Sequence, residues 1–304
     1  MNLWVAIGRS ILKASTPLLI GTLGEIYIER SGVLNLGAEG IMIVGAAVGF
    51  AVASETGNPY MGLLASVLAG MILAMTYGIL VISLHANQTI SGLALTMFGL
   101  GLSSMIGKKY VGIPAPHLPS TPIPLLSQIP IIGPLLFNYC FLVYFSIMMA
   151  ILLWFILYKT RMGIAIRSVG ESPAAADALG INVYKVRYMC TIFGGGMIGL
   201  SGAYLSLVYI PAWIEGMTAG RGWIIIALTI FSMWNPLKAV LGVLLYGGVE
   251  ILQYHLQPYG ISEAFLGMLP YIATIIVLCI ASKESLRKKF GAPAALGQPY
   301  VREI

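Results

Sequence analysis

Charge is scarce in this sequence. Asp, Glu, Lys and Arg make up 9% of its 304 residues, where a soluble domain carries about 25%. With 58% hydrophobic residues and a mean hydropathy of +0.90, a large soluble domain is excluded. Histidine is nearly absent too. His85, His117 and His255 are isolated, and no H-E-x-x-H occurs, so neither a metal site nor intramembrane hydrolysis finds support. The three cysteines, Cys140, Cys190 and Cys279, lie far apart inside apolar runs. Their spacing matches neither a metal site nor a disulfide framework, and they read as small core residues.

A nucleotide-hydrolysing motif is also missing. The nearest approach to G-x-x-x-x-G-K-[ST] is Gly107–Lys109, which lacks the final Ser/Thr and has Leu102 in place of the upstream Gly. The chain therefore carries no engine of its own. No catalytic residue, metal or cofactor is assigned to it. A literal G-x-G-x-x-G at Gly194–Gly199 sits inside an apolar run with no strand before it, so dinucleotide binding is set aside. Gly195 with Gly199, and Gly45 with Gly49, instead form small-xxx-small pairs that let helices approach closely. The start, Met1–Ile7, has no basic n-region of a cleavable signal peptide.

What the chain has is glycine, 36 of them, and long apolar runs. Transmembrane helices carry more glycine than soluble ones. The expected fold is an all-α polytopic membrane protein with about 8–10 transmembrane helices at about 20 residues each and a short cytoplasmic coupling helix. One transmembrane domain, 1–304, is expected. The runs place spans at roughly 14–29, 38–54, 60–83, 87–106, 135–158, 186–210, 222–235, 237–254 and 264–282. The seventh is short enough for a half-span or re-entrant piece, which is tolerated only where protein or a water-filled cavity covers it. A Pro-rich break at 107–133 is expected outside as an ordered loop, and the tail, 283–304, inside, with its end "GAPAALGQPY" mobile.

The net charge of +6 does not point to nucleic acid, because the basic residues sit at the ends of apolar runs. Placing 159–187 and the tail in the cytoplasm puts Arg30, Lys159, Arg161, Arg167, Lys185, Arg187, Lys238 and the cluster Lys283, Arg287, Lys288 and Lys289 inside. Arg9, Lys13, Lys108, Lys109 and Arg221 then fall outside. That asymmetry favours an external N-terminus and a cytoplasmic C-terminus.

Within 159–187 one stretch is helical by its punctuation. Ser172 is a preferred N-cap, Pro173 suits the first helical position, and Gly180 is a left-handed stop. The alanines between them favour helix, giving about two turns that are marginal in water alone. Two readings stand: a cytoplasmic loop with a helical turn, or a docking helix that receives work from a partner.

Polar residues inside spans are candidates for function. Glu25 is expected in a local ion pair or helix-end position with Glu29 and Arg30. Glu39 is expected to anchor the break between the first two spans, with Asn35 bonding exposed backbone there. Glu250 shares a face with Tyr246 and Tyr254 and is expected to bond another span. In the fourth span Gln88, Gly92, Thr96, Gly99 and Ser103 recur at helical spacing as one small, polar stripe. Such a stripe is either a tight helix contact or the wall of a solute pathway, and Asn35, Gln88, Gly92, Thr96 and Ser103 are the pathway candidates.

Two stretches carry a family resemblance. "ERSGVLNLGAEGIMIVGA" (Glu29–Ala46) resembles the signature of permease subunits of bacterial ABC importers for nucleosides and simple sugars, a group akin to branched-chain amino acid permeases. "RSVGESPAAADALGI" (Arg167–Ile181) is similar to that family's coupling-helix motif. "NQTISGLAL" (Asn87–Leu95) and "AGRGWIIIALTIFSMWNP" (Ala219–Pro236) are similar as well, in the expected order. Ala38 departs from the larger apolar residue common at its place.

The resemblance implies a bacterial cytoplasmic (inner) membrane protein. It implies a cytoplasmic ABC ATPase partner, an external substrate-binding lipoprotein, and a second permease subunit in a heterodimer. It also implies that 171–180 enters a groove of the ATPase, with Gly170, Glu171, Ser172, Pro173, Ala175, Ala176, Asp177 and Gly180 as coupling residues. The expected activity is ATP-driven import of an uncharged solute, a nucleoside first and a pentose or other simple sugar as the alternative. An ion-coupled secondary transporter or a channel is the rival class, for which a coupling helix would have no use.

Overall fold

A computed structural model of the chain describes residues 3–114, 116–122, 124, 127, 129, 132–257, 262, 265–266, 268–269, 272, 275 and 291–302. Its architecture is all-α. The helices are α1 (Leu3–Arg30), α2 (Ala38–Thr56), α3 (Pro59–Gly78), α4 (Gln88–Gly107), α5 (Ile132–Leu136) and α6 (Phe141–Lys159). There follow α7 (Arg161–Glu171), α8 (Pro173–Ala178), α9 (Val183–Tyr204), α10 (Arg221–Phe231) and α11 (Pro236–Leu256). Single π-helical turns, Ile79–Ser83 and Leu205–Tyr209, extend α3 and α9. Among the described residues seven helices are long and apolar enough to cross a membrane, and α10 is a shorter apolar helix. The expected span at 264–282 and the basic cluster after it fall mostly or wholly outside the described residues.

Local sequence sets the helix starts. The side chains of Asn58, Asn87, Thr160, Ser172, Asn182 and Asn235 each accept a backbone N–H from the first turn that follows. Such caps satisfy donors that the helix itself cannot. Pro59, Pro173 and Pro236 follow three of them at a position where a missing N–H does no harm.

The three most central helices are α1, α2 and α9. The glycines explain how α2, α3 and α9 meet. A Cβ on Gly45 would run into the backbone of Gly199, one on Gly70 into Gly195, and one on Gly202 into the Met42 carbonyl. Backbone therefore touches backbone along this triple contact, which is how helices associate where lipid removes the hydrophobic drive. Ser201 adds a hydrogen bond to the Pro17 carbonyl of α1 (2.6 Å). On the outside, α3, α4, α6 and α11 present apolar residues such as Ile72, Met97, Phe98, Ile151 and Leu241 outward.

The short seventh span is a half-span. After α9 the chain turns at Tyr209–Gly220 and enters α10, whose N-terminus lies against Glu39 of α2. Arg221, expected on the external side by the charge pattern, is largely buried within the bundle and pairs with Glu250 of α11 at 2.6 Å. At the end of the bundle that carries Gly107, Thr121–Pro122 pairs antiparallel with Asn138–Tyr139, and Leu118 donates to the Leu207 carbonyl (3.4 Å). At the other end residues 291–302, expected to be mobile, lie fastened against α7, α8 and α9.

Candidate coupling site

The polar interval between α6 and α9 folds into two helices rather than one. Thr160 ends α6 in extended backbone and caps α7, its hydroxyl accepting from Gly163 N–H at 3.3 Å. A Cβ at Gly163 would collide with the carbonyls of Ile156 and Leu157, so this glycine permits the sharp turn. Helix α7 was not anticipated from the sequence. Its amphipathic character is the signal, since Gly163, Ile166, Val169 and Gly170 form one buried face.

The Ser172–Gly180 punctuation works as the sequence indicated. Ser172 Oγ accepts from Ala175 N–H (3.4 Å), and Gly180 closes the helix at φ +82° with its N–H on the Asp177 carbonyl (2.8 Å). The result is a six-residue helix, α8, at one end of the bundle. Helix this short needs tertiary support. It comes from a small apolar cluster of Val169, Ala176 and Val183, with Ile181, Val186 and Tyr300 against it.

Six of the eight expected coupling residues, Glu171, Ser172, Pro173, Ala175, Asp177 and Gly180, are exposed or half-buried on or beside α8, whereas Gly170 is buried against Arg30 and the tail. Ala176 is buried too: it is 2% exposed and turned into that cluster. The exposed alanines of α8 are Ala174, Ala175 and Ala178. Leu179 was missed. It stands 82% exposed at the tip, just before the Gly180 turn. A lone large apolar residue closing a run of alanines was the available clue. Asp177 is held from the side by Arg302, Nε to Oδ2 at 2.9 Å.

The buried polar residues take other roles. Glu39 accepts three hydrogen bonds from the start of the half-span: Thr218 Oγ1 (2.6 Å) and Gly220 N (3.0 Å) on Oε1, and Gly222 N (2.6 Å) on Oε2. It is structural, as expected, but it anchors α10 rather than the α1–α2 break. Asn35 does serve that break, its Oδ1 accepting from Gly37 N–H at 3.1 Å. Its amide donates to Glu25 Oε2 (2.9 Å). Glu25 is thus no partner of Arg30, whose guanidinium donates to the carbonyls of Trp234 and Met233 (both 3.3 Å). Glu29 accepts from the Trp234 indole at 2.5 Å. Residues 25, 29 and 35 therefore join α1 to the α1–α2 break and to the end of α10.

The α4 stripe is packed against α2 and the break before it. Gln88 Oε1 accepts from Leu34 N–H (2.7 Å) and Thr96 Oγ1 donates to the Leu36 carbonyl (3.0 Å). A Cβ on Gly92 would lie 2.9 Å from Leu36 Cβ, and one on Gly99 2.5 Å from Gly40 Cα. Gln88, Thr96, Ser103 and Asn35 are all buried. Within one chain the stripe is a helix contact, the first of its two possible roles.

Comparison with known proteins fits this geometry. The family described as "Branched-chain amino acid transport system / permease component" matches residues 9–278. A putative glucose ABC transporter permease protein of Haloferax volcanii is 36% identical, covering 97% of each chain. The guanosine ABC transporter permease protein NupQ of Bacillus subtilis is 36% identical over 96% of this chain and 95% of its own. A nucleoside ABC transporter permease protein of Lactococcus lactis is 33% identical over 99% and 98%. No solved structure matches.

Proposed function

Because this chain belongs to the branched-chain amino acid transport system permease component family, we propose that it is the membrane half of an importer whose ATP hydrolysis resides on a separate cytoplasmic subunit. The chain itself is a multi-pass ABC transporter permease. The observation that carries the coupling role is α8: a capped, two-turn projection with an exposed leucine tip, seated on a small apolar cluster at one end of the bundle. Glu171, Ser172, Pro173, Ala175, Asp177 and Gly180, with Leu179 added, form the surface that the ATPase grips, and the buried Gly170 supports it from behind. That end then faces the cytoplasm, the assignment that the basic residues favour.

The solute is a nucleoside, with a simple sugar as the second reading. Relatives named for guanosine, nucleosides and glucose support both. Both solutes are uncharged, and two of the buried charged groups already have partners within the chain: Glu39 at the start of α10, and Arg221 on Glu250. An external substrate-binding lipoprotein and a second permease chain complete the assembly, in a bacterial inner membrane. Of the two roles open to the α4 stripe, its closed contact with α2 favours packing.

The test is uptake into vesicles holding this chain, its partner permease and the ATPase. Labelled guanosine and labelled glucose are supplied with the binding protein outside, with and without ATP inside. Uptake of guanosine that needs ATP and is competed by other nucleosides is expected. Uptake driven by an ion gradient without the ATPase would overturn the assignment.

A further inference from the structure

Residues 291–302 cross the α8 end of the bundle as a strap. A turn at its start is closed by Leu296 N–H on the Pro293 carbonyl (3.0 Å) and Gln298 N–H on the Ala295 carbonyl (3.1 Å). Gly297 takes φ +78° there, a left-handed position that suits glycine. The turn plugs a gap between two other glycines: Ala295 N–H donates to the Gly170 carbonyl (2.9 Å) and Gly297 N–H to the Gly32 carbonyl (3.2 Å). Ala294 N–H meets Glu171 Oε2 at 3.3 Å. Further on, the Gln298 carbonyl accepts from Arg187 Nη1 (3.2 Å). The Tyr300 carbonyl accepts from Tyr184 (3.2 Å) and lies 3.0 Å from His85 Nε2. Arg302 ends the strap on Asp177. The Tyr300 phenol is pushed up in pKa by desolvation and then by its hydrogen bond to the Asp177 carboxylate.

Five places are thereby joined: the α1–α2 break at Gly32, the α3–α4 break at His85, the end of α7, α8 at Asp177, and the start of α9. Helix α8 itself packs on α7 and α9, and the strap connects it to Gly32 and His85. One contact is incompletely satisfied. Arg187 is 1% exposed, yet among the described residues its Nε and Nη2 have no hydrogen-bond partner. Lifting the strap would let water reach those donors, so release is partly offset.

We propose that residues 293–302 are a positioning element that carries the displacement of α8 to the α1–α2 and α3–α4 breaks, an inference that rests on the transport role above. The residues that grip α8 and its neighbours are Tyr300 and Arg302, and Ala295–Gly297 anchors the other end.

The experiment uses the full complex with its ATPase in vesicles and reads two rates on one preparation: ATP hydrolysed and labelled guanosine or glucose taken up. The variant Tyr300→Ala with Arg302→Asp leaves the Ala295–Gly297 anchor in place. ATPase yield in the complex should be normal and hydrolysis within about twofold of wild type, while uptake per ATP falls at least fivefold. Should that double variant not reach the membrane, Arg302→Asp alone removes one largely exposed ion pair, and uptake per ATP should fall at least twofold. An unchanged ratio refutes the proposal. So does loss of the ATPase from the complex with both rates falling together, which would make the strap a docking surface. Wild-type vesicles without ATP-driven uptake would refute the transport role itself.

Discussion

Removing the Glu39 carboxylate should loosen the half-span before it disturbs the rest of the bundle. Gly222 N–H and Gly220 N–H both end on this side chain, at 2.6 and 3.0 Å, and Glu39 is 5% exposed. Helix α10 cannot serve its own first donors, and at membrane depth no solvent does so. In Glu39→Ala the Thr218 hydroxyl can rotate toward a carbonyl, but two backbone donors are left. At about 1–3 kcal/mol each, the loss is about 2–6 kcal/mol, with the low end reached if water fills the space. Glu39→Gln keeps one acceptor oxygen for Thr218 and Gly220 and turns an NH2 toward Gly222, so it should lose roughly half as much. The assay is thiol labelling of a Cys placed at Met217, 6% exposed in the loop before α10. A local opening easier by 2 kcal/mol raises the labelling rate on the order of 30-fold. The order expected is wild type slowest, Glu39→Gln intermediate, Glu39→Ala fastest, with a matching fall in detergent melting midpoint. If Glu39→Ala labels and melts like wild type, the carboxylate does not hold the half-span.

Three further outcomes are expected. A Cys at Ala175 should react with an impermeant maleimide in inverted vesicles and not in intact cells, whereas a Cys at Ala176 should stay unreactive in both, being turned into the Val169–Val183 cluster; labelling of Ala175→Cys from outside would reverse the topology. Gly99→Leu should prevent accumulation of the protein, because its side chain would meet the Gly40 backbone, and Thr96→Val should cost about 1 kcal/mol in melting stability; a well-folded Gly99→Leu protein with blocked uptake would restore the pathway role of the stripe. Glu250→Leu should destabilise by about 3–5 kcal/mol by removing the carboxylate that Arg221 pairs with, while Arg221→Met together with Glu250→Leu should recover most of it, as read from denaturation midpoints.

Legibility in the sequence followed distance. Features set by neighbours along the chain were plain: the Ser172–Pro173 start, the Gly180 stop, the glycine pairs 45/49 and 195/199, and the shortness of the seventh span. Asn35 on Gly37 is likewise two residues away. Partners across the bundle were not plain. Glu39 and Gly222 are brought together only by packing of α2 on α10, so the carboxylate was assigned to the nearer break. Arg221 looked like a boundary charge because a buried pair and a loop charge read alike in one dimension. Ala175 and Ala176 are adjacent alanines, and only the seating of α8 on Val169 and Val183 tells which one is exposed. The tail was composed like a linker, Gly, Pro and Ala, and its attachment depends on Gly32 and Gly170, each more than a hundred residues away.

The glycine contacts among α2, α3 and α9 bear on how the chain is made. The α2–α3 hairpin is complete once Gly78 has been synthesised, but its partner ends at Tyr204, more than a hundred residues later. At about 5–20 residues per second that is a wait of roughly 6–25 s. Throughout it, the bare backbone at Gly45, Ser66 and Gly70 has no Gly199 or Gly195 to meet and stands open to lipid, to the insertion machinery and to proteases that survey the membrane. A nascent chain arrested before α9 emerges should therefore be cut within the hairpin, and the same chain arrested after Tyr204 should resist.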